Sequence, residues 1–193
     1  MEIAVGFMTH NGWAIAVVVG LVDGHIKVYD RRRVSLVAPD LPRQPYHAVA
    51  DLPAGEARQL VAAVDASIAD RSLTALSAIR DAVSDHRLVA VGVVGHSREI
   101  PDVATVLASH ALMHASEGEQ YRRGVSGAAE QLCLPVWRTE SRQLTTEVAQ
   151  AMGWSSSRLA DEHAQVRTAI GPPWQKDHKE AAAAALISLH SAR

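Results

Sequence analysis

Two turn signals near the amino terminus separate three apolar runs, and they constrain the fold more than any other feature of the sequence. His10-Asn11-Gly12 follows the run over residues 2–8, and Asp23-Gly24 follows the run over residues 13–22. Asp-Gly between two apolar runs is a strong signal for a tight β-hairpin. Residues 25–29 then alternate polar and apolar side chains with the period of two of a strand. We therefore predict that the chain opens with three antiparallel strands joined by two hairpins.

The rest of the chain alternates helical and strand-like segments. The proline-rich segment over residues 38–53 is predicted to be irregular, as a connector or a lid. Apolar residues at helical spacing then indicate one long helix broken near residues 70–72, or two helices, with Asp51 as the N-cap. Leu88 to Val94 is a continuous apolar run, typical of a strand buried on both faces. The remaining segments are predicted as a helix over 103–123, a short strand over 134–138, and helices over 142–152, 156–170 and 174–190.

This order of elements predicts a single α/β domain over residues 1–193. The order β-β-β-α-β-α-β-α is that of the ribonuclease H-like fold, for which we expect a five-stranded mixed sheet in the strand order 3-2-1-4-5. Right-handed crossovers place helices on both faces of such a sheet. The third strand then lies on an edge, where Arg31-Arg32-Arg33 would discourage pairing with another sheet.

Composition and charge exclude several classes of protein. The single cysteine, Cys133, excludes an internal disulfide framework and is predicted to be structural. A formal net charge of −2 argues against affinity that depends on coating phosphates with positive charge. The first residues do not have the pattern of a signal peptide, and no apolar run reaches the roughly 18 residues of a membrane span. We therefore expect a soluble, cytoplasmic protein without a membrane partner.

Four short segments carry a resemblance to a known family: Val5–Ala16, Val91–Gly95, Glu140–Ala149 and Asp177–Ala182. They resemble the first hairpin, the fourth strand, the segment after the fifth strand and the start of the last helix of RuvC-type resolvases, most closely the YqgF family. The resemblance implies metal-dependent phosphodiester hydrolysis on structured DNA or RNA, with Mg²⁺ or Mn²⁺ as cofactor. In that family a first-strand aspartate lies between two metal ions, and Phe7 occupies its position here. Because phenylalanine cannot ligate magnesium, the resemblance also implies that this mechanism is lost or rebuilt from other residues.

Polar side chains follow the strands that should end at one edge of the sheet. His96, Ser97, Arg98 and Glu99 come after strand four, Glu140 after strand five, and Thr9 and His10 after strand one. Asp177 and His178 open the last helix. Ligands bind at the carboxyl ends of strands in open α/β sheets, so we predict that Glu99, Glu140, Asp177 and His178 are catalytic and that these four and His96 bind the metal. Arg98 would hold a phosphate. In the alternative interpretation, Glu99 and Asp177 only cap helices.

A second candidate lies on one face of the helix predicted over 103–123. His110, His114 and Glu117 share this face with Tyr121. Two histidines one turn apart can share a metal ion, which Glu117 could complete. Because the face continues an apolar stripe, we favour the alternative, a buried hydrogen-bonded network packed on the sheet or in a dimer interface.

Other features favour structural interpretations. Arg31-Arg32-Arg33 and Arg122-Arg123 could contact nucleic acid, but solvated surface is the favoured interpretation. Trp137, Trp154 and Trp174 are predicted to anchor the core. The sequence thus predicts a divergent metal-dependent nuclease acting on structured nucleic acid. The alternatives are a catalytically inactive module for protein binding or self-association, for example as a homodimer, and a nucleotide or phosphometabolite binder.

Overall fold

A single five-stranded mixed sheet forms the centre of the protein. The computed structural model describes residues 1–192. The strands are β1 (Glu2–His10), β2 (Trp13–Val22), β3 (His25–Ser35), β4 (Arg87–Val94) and β5 (Val136–Thr139), arranged in the order β3-β2-β1-β4-β5. The β1–β2 and β2–β3 pairs are antiparallel, whereas β1–β4 and β4–β5 are parallel. The predicted ribonuclease H-like sheet order is confirmed, and β3 is an edge strand.

Both predicted hairpins are present, and their turns need unusual backbone angles. Asp23 and Gly24 both have positive φ values, of 51° and 78°. Two consecutive positive φ angles give a hairpin turn whose twist matches that of the flanking strands, and Asp-Gly adopts them at low cost. The local sequence therefore sets the register in which Val22 faces His25.

Seven α-helices surround the sheet within residues 1–192. They are α1 (Pro45–Ala48), α2 (Ala54–Ala82), α3 (Val103–Leu107), α4 (His110–Gln131), α5 (Leu144–Met152), α6 (Ser156–Ile170) and α7 (Lys176–Ser191). A short 3₁₀ helix over Ser141–Gln143 precedes α5. Of the two predicted alternatives for α2, one continuous helix is present. Its N-cap is Pro53, so the prediction of Asp51 was wrong. The helix predicted over 103–123 is divided into α3 and α4, because the side chain of Ser109 accepts a hydrogen bond from the Leu112 amide and caps a new helix.

Helices cover the two faces of the sheet and create two apolar cores. The first core lies between the sheet and α2 with α4, and the second lies between the sheet and α5, α6 and α7. Side chains alternate along β1, so Phe7 belongs to the first core and Ala4 to the second. Trp154 and Trp174 are buried in the second core, as predicted.

Glycines allow α7 to lie directly against the sheet. A Cβ atom on Gly6 would lie 1.8 Å from the Ala181 carbonyl oxygen, and one on Gly92 would lie 2.3 Å from that of Ala184. The backbone of α7 therefore packs directly on the backbones of β1 and β4, and α7 has a run of alanines over residues 181–185 at this contact. The contact fixes the amino-terminal end of α7 relative to the ends of β1 and β4.

The segment over residues 38–53 is a packed connector. Tyr46 and Val49 are buried in a small third core with residues of α2, α3 and α4. The Tyr121 hydroxyl donates a hydrogen bond to the Arg43 carbonyl oxygen at 2.8 Å. These contacts hold α1 against the start of α4.

Two side chains, those of Arg31 and Cys133, have environments other than the sequence predicts. Arg31 donates hydrogen bonds to carbonyl oxygens of the segment after α6, including those of Gly171 and Pro172, so the prediction of a solvated Arg31 was wrong. Cys133 is exposed in the turn between α4 and β5, where its φ is 55°. Within residues 1–192, no helix is long and apolar enough to cross a bilayer.

Candidate functional site

A cleft of about 580 Å³ opens at the carboxyl ends of the parallel strands. It is formed where β1, β4 and β5 end and the 3₁₀ helix begins. Its lining residues are Met8, Thr9, Val94, Gly95, His96, Arg122, Glu140, Ser141 and Arg142. The predicted location of a site at this edge of the sheet therefore coincides with a cleft that has polar and charged walls.

Gly95 brings an arginine into this cleft. Its amide donates a hydrogen bond to the Thr139 carbonyl oxygen at 2.8 Å, which ties the ends of β4 and β5 together. Its φ is +115°, and a Cβ atom there would lie 2.6 Å from Cδ of Arg122. Only glycine combines this backbone angle with so close an approach. The Arg122 side chain consequently lies against the end of β4.

A buried ion pair network holds Arg122 in place. Glu119 has no exposed side-chain surface and accepts hydrogen bonds from Arg138 at 2.8 Å through both oxygens and from Arg122 at 3.0 Å. Burial by itself raises the pKa of Glu119, but the hydrogen bonds and charges of Arg138 and Arg122 outweigh it and lower that pKa below its ordinary value. The network of two arginines and one glutamate carries one net positive charge, and Arg122 is the member that lines the cleft. The prediction of a solvated Arg122 was therefore wrong.

Two of the predicted carboxylate ligands, Glu140 and Asp177, already have partners. Glu140 Oε1 lies 3.0 Å from Nδ1 of His96, and its other oxygen pairs with Arg142. Asp177 Oδ2 lies 2.9 Å from Nε2 of His10. His10 in turn stacks on Trp13, with ring centroids 4.2 Å apart. The strand ends thus hold two pairs of a histidine and a carboxylate.

Two other predicted site residues lie outside these pairs. Glu99 is exposed in the segment between β4 and α3, and the cap of α3 is Asp102, so the alternative in which Glu99 caps a helix was wrong. His178 is buried, and its Nδ1 accepts a hydrogen bond from the Gln175 amide at the start of α7. Burial lowers the pKa of His178. Its imidazole therefore stabilises the start of the helix.

The five predicted ligands near the strand ends do not form a preformed site for a divalent metal ion. Among residues 1–192, only one group of three or more histidine, cysteine or acidic side chains has ligand atoms within 4.8 Å of one another, and it includes none of the five predicted ligands. Glu140 in the cleft is paired with His96 and Arg142, and Asp177 in the first turn of α7 is paired with His10. Mg²⁺ instead requires free oxygen ligands in near-octahedral geometry. We therefore derive no metal-dependent step from this geometry.

Phe7 faces away from the cleft. It is 1% exposed and packs in the first core with Tyr121 and Val125. The next residue of β1, Met8, is the one that lines the cleft. Phe7 is thus neither a ligand nor an obstruction there.

The second predicted candidate is only partly a buried network. Glu117 is fully buried, but His110 and His114 are exposed in the single chain, so the prediction that they pack on the sheet was wrong, whereas their burial in a dimer interface stays a prediction. The hydrogen-bond partner of Glu117 is instead His47, with Nδ1 of the histidine 2.8 Å from Oε1 of the glutamate. The sequence did not single out His47, which is 70 residues from Glu117 in the chain.

Sequence reasoning also missed the network around Glu119. The only local signal is the spacing of Glu119 and Arg122, which places an acid and a base one turn apart on a helix. Arg138 comes from β5, and its partnership with Glu119 depends on the packing of α4 against that strand.

The comparisons with known proteins concern the fold. No protein-family model matches the sequence, and no curated protein matches it significantly. The structure is similar to that of T. thermophilus RuvC in complex with a Holliday junction substrate, with a TM-score of 0.54 and 16% identity over 97% of this chain and 92% of that one. It is also similar to another structure of Thermus thermophilus RuvC, with a TM-score of 0.51 and 16% identity over 96% and 92% of the two chains. The resemblance to the YqgF family stays a prediction. Over almost its whole length the chain has the mixed α/β, ribonuclease H-like fold of RuvC.

Proposed function

We propose that this protein binds structured nucleic acid, such as branched DNA or folded RNA, through the cleft at the strand ends. The observation that carries the proposal is Arg122, a permanent cation fixed in the cleft by the fully buried Glu119. An arginine whose geometry is fixed in advance loses little entropy when it binds a phosphate. The cleft is therefore suited to the phosphodiester backbone.

Further positive charge surrounds this arginine. Arg142 lines the cleft, and Nη2 of Arg98 lies 3.1 Å from Nε2 of His96 at its rim. Together with Glu140, these two arginines carry one net positive charge in addition to that of the Arg122 network. The chain as a whole has a formal net charge of −2, so the binding surface is local. Affinity should fall with added salt, because phosphate contacts release counterions.

The fold comparison supports the substrate class. The RuvC structure that resembles this chain over 97% of its length was determined with a Holliday junction. At 16% identity this likeness concerns the fold, and the proposal therefore depends on the arginines of the cleft. We favour it over an inactive protein-binding module because that alternative does not require a buried carboxylate to hold an arginine in an open cleft.

Binding to a four-way DNA junction, compared with a linear duplex of equal length, tests the proposal by fluorescence anisotropy. Arg98→Ala/Arg142→Ala removes two exposed cations without touching the buried network. The matched control, Arg80→Ala/Arg87→Ala, removes two exposed arginines that lie outside the cleft. The cleft variant should bind the junction about tenfold or more weakly and lower the salt slope by about 2.

Equal affinities of the cleft variant and the control would refute the location of the interface. Absence of binding to both the junction and folded RNA would refute the function and leave the protein-binding or self-associating module. Sedimentation equilibrium would then test for a homodimer.

A second proposal, with its own test, is that the five predicted ligands bind a metal ion that supports phosphodiester hydrolysis. For Glu99, Glu140, Asp177, His178 and His96 to bind Mg²⁺ or Mn²⁺, Glu140 must leave Arg142 and Asp177 must leave His10. Calorimetric titration with Mn²⁺ in the presence of junction DNA tests this. Asp177→Asn should abolish Mn²⁺ binding without unfolding the protein, and unchanged binding would refute the assignment.

A further inference from the structure

Three histidines from two separate parts of the chain meet beside the start of α4. His47 belongs to α1, and His110 and His114 lie one turn apart on α4. One ligand nitrogen from each lies within 4.8 Å of the other two. The ring centroid of His47 lies 5.1 Å from that of His110 and 4.5 Å from that of His114. The centroids of the two α4 histidines are 4.5 Å apart. The cluster is separate from the proposed nucleic-acid interface and shares no residue with it.

Glu117 fixes which nitrogen of His47 is available. Its Oε1 lies 2.8 Å from Nδ1 of His47 and also accepts the His47 backbone amide at 3.2 Å. Gln44 donates to its other oxygen at 3.3 Å. Because a carboxylate oxygen accepts, Nδ1 of His47 is the donor to Glu117, and Nε2 of the neutral imidazole then carries the lone pair. Glu117 therefore prepares His47 as a ligand through Nε2.

That nitrogen has no partner in the described part of the chain. Nε2 of His47 is shielded from solvent and makes no hydrogen bond with residues 1–192. A buried acceptor without a partner costs free energy, and this cost falls when an ion or another donor occupies the neighbouring space. The rings of His110 and His114 contact that of His47, and their imidazoles can also ligate a metal.

The charge around Glu117 also favours a cation. The carboxylate is completely buried, and its hydrogen-bond partners are a histidine, a backbone amide and a side-chain amide. A cation on Nε2 of His47 would balance this charge through the imidazole ring, as in carboxylate–histidine–metal arrangements.

We propose that His47, His110 and His114 bind a divalent transition metal ion of the zinc class, with Glu117 as the positioning residue. Three neutral imidazoles suit Zn²⁺ and its neighbours in the first transition series, whereas Mg²⁺ prefers oxygen ligands. His110 and His114 are exposed, so a fourth coordination position is open to water. The bound ion would link the connector over residues 38–53 to α4.

Isothermal titration of the chelator-treated 193-residue chain with ZnCl₂ tests the proposal. We expect one ion per chain with a Kd below about 1 μM, and no competition from excess Mg²⁺. His114→Ala removes an exposed ligand and should weaken Zn²⁺ binding by about 100-fold or more. The matched control is His190→Ala, an exposed histidine at the end of α7, which should bind Zn²⁺ like the unaltered protein.

A second variant separates positioning from simple ligation. Glu117→Gln should weaken Zn²⁺ binding by about 10- to 100-fold, since it removes the carboxylate that orients His47. Circular dichroism verifies that each variant is folded, and the exposed His114 keeps the test decisive if Glu117→Gln does not fold. Failure of the unaltered protein to bind Zn²⁺ more tightly than about 10 μM would overturn the proposal. Equal loss of affinity in His114→Ala and His190→Ala would also overturn it.

Discussion

The ion pair network in the cleft yields a prediction whose size can be worked out from the structure. Glu119→Gln replaces a fully buried carboxylate by a neutral amide of the same shape. Arg138 donates two hydrogen bonds of 2.8 Å to Glu119 and Arg122 donates one of 3.0 Å. A glutamine can accept through only one atom, and its amide group would face a guanidinium. Two arginines would then lie close together without a negative charge between them.

Breaking a buried ion pair by changing one partner typically costs about 3–5 kcal/mol. For a domain of this size, about 1 kcal/mol corresponds to a change of 2–4 °C in Tm, so Glu119→Gln should lower Tm by about 6–20 °C. Urea and thermal unfolding followed by circular dichroism measure both quantities. The control is Glu130→Gln, an exposed position on the same helix, where the change should stay within about 0.5 kcal/mol.

The sign of the pH dependence gives a second check on the same variant. The folded-state pKa of Glu119 lies below its ordinary value, so the unfolded state binds more protons as the solution is acidified. The stability contributed by Glu119 is therefore present above its unfolded pKa and lost as the pH falls through its folded pKa. The difference between the unaltered protein and Glu119→Gln should shrink in that range. A variant as stable as Glu130→Gln at neutral pH would refute the reasoning.

Three further predictions concern the sheet, the first core and the helices over the second core. Gly6→Ala places a methyl group 1.8 Å from a carbonyl oxygen of α7 and should lower the free energy of unfolding by about 3 kcal/mol or more. The control is Gly127→Ala, in open space on α4, which should raise the free energy of unfolding by about 0.5–1 kcal/mol. Urea unfolding measures both. Phe7→Asp buries an unpaired carboxylate in the first core and should destabilise by several kcal/mol without creating Mn²⁺ affinity. Burial lowers the pKa of His163 to about 4, so the unfolded state binds more protons between about pH 4 and 6.5, and the free energy of unfolding rises with pH across that window. His163→Leu should flatten this rise in urea unfolding measured at several pH values. Equal stability of the two glycine variants, Mn²⁺ binding by Phe7→Asp or an unchanged pH slope would contradict the respective argument.

The fold could be predicted from the sequence because its signals are local. Asp23-Gly24 specifies a turn, and the apolar run over residues 88–94 specifies a strand buried on both faces. The division between α3 and α4 was missed, because no glycine or proline marks it and the Ser109 cap is a weaker signal.

The site was harder to predict because its partners are distant in the chain. The edge of the sheet that carries the cleft follows from topology alone. The pairing of His10 with Asp177 spans 167 residues, and that of His47 with Glu117 spans 70. Sequence patterns show which residues could ligate or pair, but the choice among partners depends on how helices pack on the sheet.

The close contact between α7 and the sheet should be visible in how the chain tolerates substitution. Alanines on helices usually accept many replacements, because a longer side chain can turn toward solvent. Here Ala181, Ala182 and Ala185 have no exposed surface, and α7 approaches backbone to backbone at Gly6. In a saturation library selected for folded protein, these small residues should be more restricted than the larger apolar residues of α2. The positions least tolerant of substitution would then be those with the smallest side chains rather than those with the largest.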